Sequence, residues 1–115
     1  DFDEALRLAD RIAIMKDGAV EQCDTPDQIV LHPATEYVRK FTEDIDKARV
    51  VHAGVLADKT ATGQGDPVEA SATVHQMARM LVNDNREMIP VAKDGSIVGA
   101  LSRKSALDIL LGSST

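Results

Sequence analysis

A stretch without hydrophobic periodicity divides this chain of 115 residues into two differently patterned halves. Residues 57–67, ADKTATGQGDP, combine Gly, Thr, Asp and Pro, which are residue types typical of loops. Each half is small, and a domain of about 60 residues buries only about 60% of the surface that its unfolded chain exposes. We therefore expect two marginal units, residues 1–55 and residues 68–115, joined by a linker over residues 56–67.

The first half is predicted to form a helix, a hairpin and two short helices. Apolar residues recur from Phe2 at the i, i+3, i+4, i+7 spacing of an amphipathic helix. The pair Asp17-Gly18 lies between two apolar runs, which predicts a tight β-hairpin. Thr25 precedes a proline and is expected to be the N-cap of a short helix, and a second helix is expected to begin at about Thr35.

The second half is predicted to follow the order strand, helix, strand, strand, helix. A brief strand around Val68–Ala70 precedes a helix that Thr73 is expected to cap. Two further strands, Met88–Ala92 and Ser96–Leu101, are joined by an Asp-Gly turn. A right-handed crossover makes the first two strands parallel, and the hairpin makes the third antiparallel. The expected fold class is therefore α/β of the α+β kind, with a small three-stranded sheet.

Charge and cysteine usage exclude several classes of function. The formal net charge is -6, from 19 acidic and 13 basic residues, and phosphate backbones need a basic stripe that this chain lacks. We therefore expect no nucleic-acid partner, and we interpret the charged run 43–49 as a solvated helix end or linker. The single Cys23 cannot form an internal disulfide, and no metal-ligand spacing of Cys or His occurs. These features favour a soluble protein of the cytoplasm without a bound metal.

The run from Asp3 to Phe41, DEALRLADRIAIMKDGAVEQCDTPDQIVLHPATEYVRKF, resembles the C-terminal end of the nucleotide-binding subunit of an ABC transporter. The resemblance begins just after the switch-loop histidine of that family, and the chain opens directly within a predicted helix. It implies that the catalytic motifs lie upstream, and the chain itself contains no GxxxxGK(S/T) phosphate loop. We therefore expect no enzyme activity from this chain, whereas the intact parent would be an ATPase.

The second half resembles a CBS repeat, a small regulatory unit that usually occurs in pairs. The matching residues are Asn83-Asp84-Asn85, Met88-Ile89-Pro90-Val91, Asp94-Gly95, Ile97-Val98-Gly99 and Ser102 to Leu107. An ABC ATPase tail followed by a CBS repeat is the arrangement of the ATPase subunits of glycine betaine and proline importers. The resemblance thus implies a CBS-type β-α-β-β-α unit preceded by a partial ABC-ATPase α/β segment. It also implies a homodimer through the CBS repeat, permease subunits as partners, and a location at the inner face of the cell membrane.

The same resemblance implies a candidate ligand, an adenine nucleotide or a cyclic dinucleotide; no other cofactor is expected. The candidate contacts are Val68, Met88, Pro90, Ser102, Arg103 and Ser105. Ser105 stands where nucleotide-binding repeats carry an Asp that holds the ribose, and loss of such a charged hydrogen bond costs about 1.5 to 3 kcal/mol. Only one repeat is present, and Ser102 has a plainer interpretation as the cap of the last helix.

Three functional interpretations remain open from the sequence. The leading one is a regulatory unit that shifts between two arrangements in response to ionic strength or a nucleotide and thereby adjusts osmoprotectant uptake. The alternatives are a dimerisation scaffold that binds no ligand and a conventional adenine-nucleotide sensor. The three histidines are expected to be structural or exposed, and Met77, Met80 and Met88 are expected to pack in the core rather than to line a ligand slot.

Overall fold

The computed structural model describes residues 2–112. The first half contains helix α1 (Phe2–Leu8), strands β1 (Ile12–Lys16) and β2 (Ala19–Asp24), and helices α2 (Pro26–Leu31) and α3 (Glu36–Thr42). A 3-10 turn over Lys47–Arg49 and the short helix α4 (Ala53–Leu56) follow. The second half contains β3 (Val68–Glu69), α5 (Ala78–Asn83), β4 (Met88–Lys93), β5 (Ser96–Ser102) and α6 (Arg103–Leu110). This mixture of helices with two small sheets confirms the predicted α+β class.

Both predicted hairpins form around their Asp-Gly pairs. Asp17 and Gly18 have φ angles of 52° and 81°, and Asp94 and Gly95 have φ angles of 52° and 80°. Positive φ at both central residues is the geometry of a type I′ turn, whose twist matches that of the flanking strands. The turn chemistry visible in the sequence therefore sets the register next to each turn, and an irregularity shifts it further along, between Ile14 and Met15 and between Val91 and Ala92.

The predicted helix cap at Thr25 is confirmed, and Thr35 caps the helix that we expected to begin near it. The Thr25 hydroxyl accepts a hydrogen bond from the backbone N–H of Gln28 at 3.3 Å, and Pro26 occupies the first turn of α2. The Thr35 hydroxyl accepts from the N–H of Val38 at 3.2 Å at the start of α3. Each hydroxyl thus satisfies one of the N–H groups that a helix start leaves without a partner.

The helix predicted to open at Thr73 begins later than expected. The reciprocal capping bonds do form, because the N–H of Gln76 donates to the Thr73 hydroxyl at 3.2 Å and the N–H of Thr73 donates to Oε1 of Gln76 at 2.9 Å. Thr73, however, also forms an isolated antiparallel bridge with His52, and turns occupy residues 74–77 before α5 starts at Ala78. The N–H of Met77 reaches the carbonyls of both Thr73 and Val74 at 3.1 Å, and the N–H of Ala78 reaches that of His75 at 3.2 Å, so a turn with i→i+3 bonds precedes the regular helix.

The second sheet has the predicted topology, with strand order β3-β4-β5. Strand β3 is parallel to β4, with Val68 opposite Val91. Strand β5 is antiparallel to β4, with Pro90 opposite Ala100 and Met88 opposite Ser102. This register places the end of β5 and the start of α6 beside the start of β4, where most of the candidate ligand residues lie.

Backbone hydrogen bonds join residues 48–54 to residues 70–75. The N–H of Val74 donates to the carbonyl of Val51 at 2.9 Å, and the N–H of His75 donates to the carbonyl of Ala48 at 2.8 Å. Ala48 is buried, so the charged run 43–49, which we expected to be solvated throughout, contributes to the core. A single cluster of buried apolar residues extends from Leu6 to Ala106. The domain boundaries at residues 55, 56, 67 and 68 remain predictions, and these contacts cross them.

Candidate functional site

Three of the six candidate ligand residues line one cleft. Met88, Ser102 and Arg103 lie around a volume of about 330 Å³, together with residues 85–87 and Lys104. The pairing of β4 with β5 brings Met88 opposite Ser102, and α6 begins at the next residue. The antiparallel register therefore assembles this cleft from segments that are about fifteen residues apart in the chain.

Ser102 is the N-cap of α6, as its plainer interpretation predicts. Its hydroxyl accepts a hydrogen bond from the N–H of Ser105 at 3.2 Å. Ser105 is exposed, and this bond engages its backbone rather than its side chain. The cap uses one lone pair of the Ser102 hydroxyl and leaves its O–H as a donor.

Arg103 joins the two helices of the second half. Its Nε donates to the carbonyl of Leu81 at 2.8 Å, and its backbone N–H donates to the carbonyl of Glu87 at 2.9 Å. Leu81 lies in the last turn of α5, where carbonyl groups lack intrahelical partners and a cation is favourable. The guanidinium therefore serves as a C-terminal cap for α5.

Arg86 is the residue of this cleft that the sequence analysis missed. Its guanidinium donates to the Asp84 carboxylate through Nε at 3.0 Å and Nη2 at 2.6 Å, and its backbone N–H donates to Asp84 Oδ1 at 2.8 Å. These hydrogen bonds lower the pKa of Asp84 to about 2, and the same pairing raises the pKa of Arg86. The Asp-x-Arg spacing is the signal in the sequence that would have identified this pair.

The other three candidates, Val68, Pro90 and Ser105, lie outside the lining of that cleft. Val68 is half-buried in β3, and Pro90 is buried in β4. Pro90 has no N–H to donate, and Gly63 packs against it so closely that a Cβ at Gly63 would lie 2.7 Å from the Pro90 nitrogen. A segment of the chain itself therefore covers this side of β4.

A larger cavity lies at the opposite ends of the strands. Its volume is about 730 Å³, and its lining includes His52, Lys59, Glu69, Lys93 and Val98. Both signs of charge occur around it, so the lining does not favour an anion over a cation. Within residues 2–112, no group of three His, Cys, Asp or Glu side chains is placed to hold a metal ion.

His52 has a structural partner, in agreement with the expectation from the sequence. Oδ2 of Asp27 lies 3.0 Å from Nδ1 of His52, and the same oxygen accepts a hydrogen bond from the backbone N–H of His52 at 2.8 Å. Asp27 lies in the first turn of α2 and is 6% exposed. The pair therefore ties α2 to the start of α4.

Comparison with curated proteins places the chain among transporter subunits. It is 74% identical over 114 residues to the trimethylamine N-oxide transport system ATP-binding protein TmoW of Ruegeria pomeroyi, covering 99% of this chain and 34% of that protein. It is 45% identical over 103 residues to TmoW of Pelagibacter ubique, covering 88% and 30% of the two chains. It is 38% identical over 103 residues to the glycine betaine/proline betaine protein ProV of Escherichia coli, covering 89% and 26%.

The chain spans about a third or less of the length of these relatives. No family model and no solved structure matches it. Of the helices that the structure describes, none has the length and apolar character needed to cross a membrane. The matched region is C-terminal in the relatives. The chain is therefore homologous to the C-terminal region of the ATP-binding subunits of glycine betaine, trimethylamine N-oxide and osmoprotectant ABC transporters.

Proposed function

We propose that this chain is the regulatory C-terminal part of the ATP-binding subunit of an ABC importer for small methylated amines. The observation that carries the proposal is the 74% identity over 114 residues to a trimethylamine N-oxide transport protein. Relatives named for glycine betaine and proline betaine extend the substrate class to other methylated amines. In this proposal the intact protein hydrolyses ATP with residues outside this chain, and the chain itself has no catalytic role.

The β1–β2 hairpin supports a place within a larger body. Ile14 is buried, whereas Ala13, Met15, Val20 and Cys23 are exposed. The pairs Ala13 with Cys23 and Met15 with Val20 are directly opposite in the register, so these four residues share one face, the outer face of the hairpin. A strand that is apolar on both faces is typical of sheets covered on both sides. The rest of the ATP-binding subunit would cover this face.

The location and the partners follow from the proposed role. An ATP-binding subunit of an importer works in the cytoplasm, against the permease subunits that span the membrane. The names of the relatives, all ATP-binding proteins of transport systems, support this location. We accordingly propose the permease subunits as partners of the intact protein.

We propose that residues 68–112 act as a CBS-type regulatory unit that pairs with a second copy. The order β3-α5-β4-β5-α6, with one parallel and one antiparallel strand pair, supports the assignment to this type of unit. Helices α5 and α6 contact each other, and Val82 and Leu111 remain 62% and 78% exposed at their ends. Exposed apolar side chains on adjacent helices favour coverage by a second copy.

We favour ionic strength over a nucleotide as the signal to which the regulatory unit responds. The Ser102 hydroxyl and the Arg103 guanidinium, two of the polar groups proposed for a nucleotide, are engaged within the chain. Several ion pairs are solvent-exposed, including Arg39 with Glu36 and Lys104 with Asp108. Salt screens exposed pairs, with a Debye length of about 10 Å at 0.1 M and about 3 Å at 1 M. Both of these pairs lie within single helices, so in this proposal salt acts on the charges that two copies bring together in one arrangement and separate in the other.

Transport by the complete protein tests this function. The complete ATP-binding subunit, reconstituted with its permease in liposomes, should take up labelled trimethylamine N-oxide or glycine betaine when ATP is supplied. Val82→Lys, a change at the exposed end of α5 that weakens the proposed pairing, should retain uptake but lose the dependence of uptake on salt. Uptake of neither amine would refute the substrate class, and an unchanged salt response in this variant would refute the regulatory role.

Thermal unfolding in the presence of AMP, ATP and cyclic dinucleotides distinguishes a response to nucleotides from a response to ionic strength. A ligand present at about 100 times its dissociation constant stabilises the folded state by roughly 2.7 kcal/mol, which is readily measured. We expect no saturable shift with any nucleotide in the wild-type protein. A saturable shift would instead establish the nucleotide sensor.

A further inference from the structure

Residues 58–66, which we call the strap, begin on the outer edge of β5. The N–H of Asp58 donates to the carbonyl of Ala100 at 2.9 Å, and the N–H of Ala100 donates to the carbonyl of Asp58 at 3.1 Å. Ala100 and Pro90 form a non-hydrogen-bonded pair of the antiparallel ladder, so both backbone groups of Ala100 point away from β4 and towards the strap. The strap thereby pairs with part of an edge that would otherwise be open.

Two glycines allow the strap to lie against the strands. A Cβ on Gly99 would collide with the carbonyl oxygen of Asp58. A Cβ on Gly63 would lie 2.7 Å from the nitrogen of Pro90 and 2.8 Å from the carbonyl oxygen of Met88. The strap therefore passes from the edge of β5 to the backbone of β4 at Met88 and Pro90 within a few residues.

Arg86 holds the far end of the strap. Its Nη1 donates to the carbonyl of Gln64 at 2.6 Å and to the carbonyl of Asp66 at 2.9 Å. The other side of the same guanidinium is fixed by the Asp84 carboxylate. Because the guanidinium is planar and carries donors on both sides, one side chain can bind the carboxylate and the strap at the same time.

We propose that the strap is a built-in cover that closes the Met88–Pro90 side of the candidate ligand region, and that Arg86 is its latch. The closure rests on the contacts above, and only the identity of the excluded ligand, an adenine nucleotide, rests on the resemblance to a CBS repeat. The strap residues are exposed or half-buried, so opening breaks a few hydrogen bonds without exposing the apolar core. The cover can therefore open while the rest of the fold stays intact.

Trypsin cleavage after Lys59 tests the latch, because Lys59 is an exposed residue within the strap. In the complete protein, with fragments identified by mass spectrometry, Arg86→Ala and Gly63→Ala should each accelerate this cleavage by roughly tenfold. Thr62→Ala is the matched control, because Thr62 is exposed beside Gly63 and should leave the rate unchanged. Cleavage after Lys16, in the distant hairpin, is the internal reference.

The outcomes are distinct. Equal rates after Lys59 in the wild type, Arg86→Ala and Gly63→Ala would overturn the proposal. If cleavage after Lys16 also rises in Arg86→Ala, Arg86→Lys replaces it, since a lysine retains the charge but lacks the fork that reaches both carbonyls. Acceleration at Lys59 alone in that variant supports the latch, and an unchanged rate overturns it.

An AMP titration monitored by thermal unfolding tests what the cover excludes. We expect a saturable shift in Gly63→Ala and none in the wild type. An equal shift in both proteins would show that the strap does not control access. If neither protein responds although cleavage after Lys59 is accelerated, the cover is supported and the nucleotide interpretation of the site is wrong.

Discussion

At the scale of single residues, the pair of Asp84 with Arg86 makes the stability of the folded state depend on pH. Its hydrogen bonds from the Arg86 side chain, followed by the bond from the Arg86 backbone, lower its pKa to about 2. The pKa of an unfolded Asp is about 3.9. The folded state therefore binds this proton less readily, so the stabilisation is complete above about pH 4 and is lost as the pH falls towards about 2.

Replacing Asp84 by Asn should flatten the acid limb of the stability curve. We expect the urea midpoint of Asp84→Asn to fall less steeply than that of the wild type between about pH 4 and about pH 2, because the residue no longer titrates. Asp44→Asn, a change of the same charge at an exposed position, is the control and should retain the wild-type slope. Parallel curves for the wild type and Asp84→Asn would contradict the assignment.

Replacing Asp27 by Ala should destabilise the folded state more than replacing it by Asn. In Asp27→Ala the backbone N–H of His52 loses its acceptor, and an unsatisfied group of this kind costs about 1 to 3 kcal/mol. Asp27→Asn retains a carbonyl oxygen at the same place and should cost less. Chemical denaturation of both variants measures the difference, and equal losses would show that the hydrogen bond to His52 is not the main contribution.

At the scale of elements, helix starts and hairpin turns follow from neighbouring residues. Thr35 caps α3 through the N–H of Val38, and its hydroxyl also lies 3.2 Å from Oε1 of Glu21 on β2. The aromatic rings of Phe2 and Phe41 meet edge to face, with centroids 4.4 Å apart, and join α1 to α3. The cap is visible in the sequence, whereas the contact between the two helices is not.

Thr35→Ala should destabilise the chain by about 1 kcal/mol, the usual cost of losing a threonine cap. The urea midpoint at constant m-value measures this loss. Thr35→Ser retains the hydroxyl and should remain close to the wild type. If Ser and Ala were equally destabilising, the methyl group of Thr35 rather than its hydroxyl would be responsible.

At the scale of the whole molecule, the described part of the chain is elongated, with extents of 49 × 27 × 23 Å. One apolar cluster nevertheless runs from Leu6 to Ala106, through Val50 and Val51 at the middle of the chain. Apolar surface remains on the outer face of the hairpin and at the ends of α5 and α6. These two surfaces are where we expect the rest of the subunit and a second copy, respectively.

A charge at the helix surface should weaken the proposed pairing of two copies. We expect the complete protein to sediment as a dimer at low micromolar concentration and Val82→Lys to shift it towards monomer, because burying an unpaired ammonium is costly. Ile97→Lys changes another exposed apolar residue, on β5, and is the matched control. A monomeric wild type, or equal effects of both changes, would contradict pairing through α5.

The sequence by itself determined the features that depend on residues three or four positions apart. These include both Asp-Gly turns, the cap at Thr25 and the cap at Ser102, because each rests on backbone geometry or short-range hydrogen bonds. The order of strands in the second sheet was also predicted, but from the right-handed crossover between parallel strands rather than from neighbouring residues. The resemblance of the chain to the ATP-binding subunits of osmoprotectant ABC transporters was also stated from the sequence, and it agrees with the comparisons.

Only the tertiary structure decided what the candidate site residues contact. Arg103 binds a carbonyl 22 residues away, Arg86 binds carbonyls 20 and 22 residues away, and Asp27 binds His52 across 25 residues. Such pairs are selected by the packing of whole elements, and the same side chains in another packing would be free to bind a ligand. Sequence spacing therefore specified the elements, and packing specified which polar groups remained available.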